Sequence, residues 1–111
     1  MWLSQKMIAA EKKQPSAELA EVTGEASMQG ANTYRGVPIA APWGVASLPP
    51  NSARAVLVDT GSGITCVGAI TEDRGLEPGE LMLYSAGGAE IHLKNNGEVV
   101  INGQTFAAKE G

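Results

Sequence analysis

The residues best placed to do chemistry lie in one short run, Val58-Asp59-Thr60-Gly61-Ser62. If two such segments met on a dyad, the paired Asp59 carboxylates would share a proton, because two like charges in close contact cannot both ionise. The apolar Ala55-Val56-Leu57-Val58 in front of it suits a strand delivering the aspartate to that axis. The same Asp-Thr-Gly-Ser-Gly is also what a hairpin turn wants. Other chemistry is thin. Cys66 is the single cysteine, which excludes an intrachain disulfide and a four-thiolate zinc site. Its apolar neighbours make it an inert core residue. With one histidine, His92, no Ser/His/Asp set is available. Gly61-Ser62-Gly63 lacks the Lys and the following helix of a phosphate loop. Glu72-Asp73 and Glu77 with Glu80 read as a solvated acidic rim rather than a calcium site.

The elements that must position these residues are bounded by composition. The chain has 111 residues, enough for one domain or a small domain with an appendage. Lys plus Arg is 8 against 12 for Asp plus Glu, a net charge of −4. That sign argues against nucleic acid or an anionic membrane as partner. A hydrophobic share of 43% and a charged share of 18% are those of a globular chain. Only 5% is aromatic, so the core is built from small and branched side chains. Lys6 interrupts the apolar run a signal peptide needs, and nothing approaches the length of a spanning helix. The expected place of synthesis and assembly is the cytoplasm.

Three regions follow. Residues 1–14 are the one helix-like stretch, with Leu3, Met7 and Ala10 at helical spacing and Pro15 ending it, and read either as a docking helix or as a flexible, frayed terminus. Residues 15–73 read as short strands and turns. Ala17 to Met28 reads as a strand bent at Gly24. Gly36 to Pro42 is extended and confined by its prolines to an edge or a connection. Trp43 to Ser52 is irregular. Ala53–Val58 and Ile64–Ile70 pair through the Asp59–Gly63 hairpin, and both are apolar on two faces, as buried barrel strands are. A small closed or half-closed barrel is the expected form.

After a junction at 74–80, residues 81–111 obey a different rule. Leu81 and Leu83, then Ala89, Ile91 and Leu93, then Val99 and Ile101 fall on one side of alternating strands, with turns at Gly87-Gly88, Asn95-Asn96-Gly97 and Asn102-Gly103. Glu90, His92 and Lys94 take the other side, so His92 is expected to be solvated. A ribbon of this kind is marginal alone, and the chain has little left over to cover its stripe. Other copies of the chain supply the cover, in a homo-oligomer with rotational symmetry.

Three segments resemble one family. Pro42-Trp43-Gly44-Val45-Ala46-Ser47, Leu76-Glu77-Pro78-Gly79-Glu80 and Ala89-Glu90-Ile91-His92-Leu93-Lys94 with Asn96-Gly97 are similar, in order and spacing, to segments of the Mu-type phage baseplate assembly proteins, the gpV-like central tail spikes. The resemblance spans roughly residues 17–102. It implies an all-β homotrimer: an N-terminal OB-fold barrel followed by a short, intertwined trimeric β-helix spike. Such a spike plugs the tail tube of a contractile baseplate and leads it through the host envelope, with hub and tube proteins as partners. Leu81, Leu83, Ala89, Ile91, Leu93, Val99 and Ile101 would form the trimer core. Trp2, Leu3 and Met7 are the candidate hub contact. Longer relatives hold an iron ion in a His-x-His tip motif, which nothing here matches, so no metal or other cofactor is carried over. A blunt spike is the expectation, either sharpened by a separate tip protein or belonging to a tail that penetrates differently. The virion is the expected location, after assembly in the host cytoplasm. Val58 to Ser62 also resembles the active-site segment of retropepsin-like aspartic proteases, and a homodimeric protease using Asp59-Thr60-Gly61 is the alternative.

Overall fold

The computed structural model describes residues 16–110, and these contain strands and turns with no helix. The helical expectation for 1–14, with Trp2, Leu3 and Met7, lies outside the described residues. Nine strands form two antiparallel sheets in two compact units that divide between Ile70 and Thr71.

The first unit is a five-stranded sheet of β1 (Ala17–Gly24), β2 (Ser27–Gln29), β3 (Thr33–Tyr34), β4 (Arg54–Asp59) and β5 (Ile64–Ala69), in spatial order β3-β2-β1-β4-β5. The bent strand expected over 17–28 is instead a hairpin. Glu25-Ala26 turns the chain, Ala26 taking φ 55°, and Val22 lies opposite Met28. A local kink and a full reversal share the same Gly and small-residue signal. β3, only two residues long, carries no alternation to read.

The two edges of this sheet are close together. After β3 the chain runs to Ile39, which bridges in parallel to Cys66 of β5. Cys66 donates its N–H to Pro38 O at 2.9 Å, and Ala40 donates to Cys66 O at 2.8 Å. The run from Tyr34 to Ile39 reaches at most about 18 Å, so the sheet is rolled until its edges nearly meet. It does not close: the seam is this one bridge. Inside the roll lie Ala20, Val22, Met28, Val37, Ala55, Leu57 and Cys66, with Tyr34, Ile39, Ala53 and Ile64 packed against them. Cys66 is buried and unpaired, as a core residue. The expectation that β4 and β5 are buried on both faces is not met. On the outward face Val67 of β5 is about half exposed (49%), as is Leu19 of the neighbouring β1 (47%), and Val56 and Val58 of β4 are only partly buried. A single roll has only one interior.

A second tie holds the roll together. Glu18 on β1 accepts from the Ala31 N–H at 2.9 Å and from the Tyr34 hydroxyl at 2.7 Å. These donors, the backbone one first, hold its carboxyl below the usual range.

The second unit is an antiparallel meander, β6 (Leu81–Tyr84), β7 (Glu90–Leu93), β8 (Val99–Ile101) and β9 (Gln104–Phe106), in chain order. The sequence reading stopped the stripe at Ile101 and missed β9. The Asn102-Gly103 turn, with φ 49° and 85°, is the two-residue hairpin that announces a further strand, and Gln104-Thr105-Phe106 is too short to show a period.

The core of the first unit is small, so one truncation tells. Leu57→Ala should destabilise this unit by about 2–5 kcal/mol, read as a lower urea midpoint by far-UV circular dichroism. A change under about 0.5 kcal/mol would mean that Leu57 is not packed as described.

Candidate functional site

Registers in the second unit place the stripe on one face. Leu81 pairs with Leu93 and Leu83 with Ile91 across β6–β7; Ile91 pairs with Ile101 and Leu93 with Val99 across β7–β8. Phe106 extends it from β9, opposite Val99. Six of the seven predicted core residues are therefore on strands and adjacent. Ala89, of the same parity, stands just before β7 at the hairpin end and is exposed. Phe106 is the member that sequence reasoning missed.

This face is in water. Leu81 and Leu83 are 52% and 51% exposed, Phe106 50%, Leu93 40%, Ile91 and Ile101 38% each. The opposite face is mixed, Glu90 and His92 standing in register with Tyr84, Met82 and Val100, and the segment before β6 packs on it. Arg74, in the segment before β6, stacks 4.0 Å from the Tyr84 ring centroid and reaches Glu90 at 3.4 Å. The same segment then makes a tight turn at Glu77–Glu80, closed by Glu80 N–H to Glu77 O at 3.0 Å. Pro78 at the second position and Gly79 at φ +100° at the third are what a type II turn requires.

Glu80 fastens that turn to the sheet. Its Oε1 accepts from the Glu77 N–H at 3.1 Å and from His92 Nε2–H at 3.1 Å, while Oε2 accepts from the Asn95 N–H at 3.0 Å. Asn95 in turn donates its side-chain amide to Pro78 O at 2.9 Å. The approach is close: a Cβ on Gly79 would stand 2.9 Å from Asn95 Oδ1. The donors, led by the Asn95 and Glu77 backbone and then His92, lower the Glu80 pKa from 4.5 to about 2.

Two expectations are corrected here. His92 does lie opposite the apolar stripe, but it is not solvated; its side chain is 18% exposed and paired to Glu80. Glu80, read as part of a solvated acidic rim, has a side chain only 7% exposed. Alternation gives the side of a strand but not what folds over that side. The signal was present in Pro78-Gly79-Glu80, a turn that can bring a carboxylate back onto the sheet.

The Asp59 loop is self-contained. Asp59 Oδ1 accepts from the Gly61 N–H at 2.9 Å, and Thr60 Oγ1 donates to Gly63 O at 2.9 Å and accepts from the Ser62 N–H at 3.2 Å. These are the bonds of a hairpin turn. Asp73 closes a similar turn through the Gly75 N–H at 2.9 Å.

Comparisons with protein-family models, with curated proteins and with solved structures found no match.

The Glu80 latch has a pH signature. A carboxyl whose folded pKa lies below its unfolded value stabilises fully above the unfolded pKa and loses that contribution as pH falls through the folded one. Stability supplied by Glu80 should be complete above pH 4.5 and fade toward about pH 2. In urea titrations across this window, Glu80→Gln should start less stable and flatten the slope. A slope equal to that of the unaltered chain would show that Glu80 is not the group being protonated.

Proposed function

We propose that this chain is the central spike of a contractile-tail baseplate, a homotrimer with no catalytic role, in which the first unit is an OB-type barrel and the second winds with two copies into a short β-helix. The observation that carries the reading is the meander's one-sided cover, with its mixed face folded under its own linker and its wholly apolar stripe in water. A contiguous apolar surface left in water on a soluble chain is often functional. Each half-exposed Leu or Ile has roughly 1 kcal/mol still to gain from burial, and closure about a threefold axis would supply it to every copy at once.

The first unit supports the same reading. A five-stranded antiparallel sheet ordered β3-β2-β1-β4-β5, with its β3 end bridged in parallel to β5, has the connectivity of the Greek-key barrel that OB domains use. The net charge of −4 disfavours the nucleic-acid role common among such barrels. A device that transmits axial force needs stiffness, and a prism in which strands of three chains share ladders resists bending because bending breaks bonds in all of them. Hub and tube proteins would hold its upper end, a tip protein would cap it, and the host envelope would be met only transiently.

Two outcomes test it. Leu93→Asp or Ile91→Asp should reduce the mass by light scattering from three chains to one, while far-UV circular dichroism keeps the signal of the first unit; an intact trimer would refute the inside/outside assignment. Immunogold labelling of purified tail particles should mark the distal end of the tube, and label along the sheath would contradict the spike role.

A further inference from the structure

Among the described residues, the first unit carries a second exposed apolar surface and, separately, an arm of exposed apolar side chains. Trp43 is fully exposed (101%). It stands on the strandless stretch between Ile39 and β4 with Val45 (47% exposed) and Leu48 (60%). The arm is rooted at both ends, by Ala40 N–H to Cys66 O at 2.8 Å and Ser52 N–H to Val22 O at 2.8 Å. Between the roots, Pro42, Pro49 and Pro50 fix φ, and Val45 N–H closes a turn on Pro42 O at 3.0 Å. An arm so pre-ordered loses little entropy on docking.

The outward face of the rolled sheet is the matching surface. Leu19 lies opposite Val56, Val58 lies between Ala17 and Thr65, and Val67 follows on β5. At the rim Glu21 stands in register with Arg54, one charge of each sign. From Gly36 to Ser52 the arm has no charged residue. An uncharged arm, an apolar centre and a balanced rim suit each other and give no purchase to a nucleic acid or an anionic lipid surface.

We infer that the Trp43 arm of one copy packs on the Leu19/Val56/Val67 face of the next. This inference rests on the trimer proposed above. A contact between two different patches is head-to-tail and closes without leftover surfaces only in a ring. Three side chains on five are far short of the roughly 800 Å² per partner of a freestanding interface. That shortfall favours a tethered copy over a free partner, because copies joined through their second units face one another at effectively millimolar concentration. The contact would give the first units the same rotational order as the second units.

Trp43 reports on this directly. In Trp2→Phe it is the sole tryptophan. In the full-length trimer its emission should shift to the blue and acrylamide quenching should fall several-fold relative to free N-acetyltryptophanamide. Adding Leu93→Asp, which dissociates the copies, should restore free quenching. Adding Leu19→Asp, at a half-exposed position that the fold tolerates, should restore quenching while the mass stays at three chains. A trimer whose Trp43 is quenched as freely as the model compound overturns the inference and leaves the trimer standing. Protection that survives either Asp substitution also overturns it, since the arm would then rest on its own chain or elsewhere. A monomeric Trp2→Phe chain by light scattering overturns both.

Discussion

A β-sheet with one apolar face must bury that face, and in the second unit of this protein the segment before β6 is folded on the other side. Arg74, the Pro78-Gly79 turn and Glu80 close over Tyr84, Glu90 and His92. Leu81, Leu83, Ile91, Leu93, Ile101 and Phe106 are left in water. For a solitary molecule the arrangement is costly, because the more apolar of the two faces is the one left hydrated. It would become sensible if the uncovered face were an inner face shared with other copies, as proposed. Covering the mixed side has its own logic: it anchors the linker to the sheet by charge-assisted bonds, which are stronger than neutral ones, and leaves the other face free.

The first unit meets a related constraint differently. Its interior is small, with no aromatic side chain among its fully buried members, and its seam is one bridge. The Glu18 contacts to Ala31 and Tyr34 brace the end where β2 and β3 turn. Among the described residues, its outward face and Trp43 arm remain as exposed apolar surface. Both units thus direct unspent hydrophobic area outward, and association among copies is the economical way to remove both from water.

Much of this was legible from sequence where the chemistry is local. Strict alternation over Ala89–Lys94 is enough to separate Ile91 and Leu93 from His92, and the Asp59–Gly63 turn is announced by its own composition. The all-β class follows from the spacing of turn residues. What was not legible depends on distant folding-over. Nothing in the sequence near His92 says that Glu80, twelve residues earlier, returns to it. β9 was too short for a period, and the Ala17–Gln29 hairpin looked like a bend because Gly24 serves either. The outward exposure of Leu19 and Val67 was missed because a strand apolar on both faces reads as doubly buried within one chain, although the second cover can come from outside it.

The central claim, that the meander's apolar face is covered by other copies, is tested most directly by native mass spectrometry of the unaltered chain diluted to low micromolar concentration. The account predicts a single species of three times 11.5 kDa. A folded species of 11.5 kDa that persists at that dilution would contradict it.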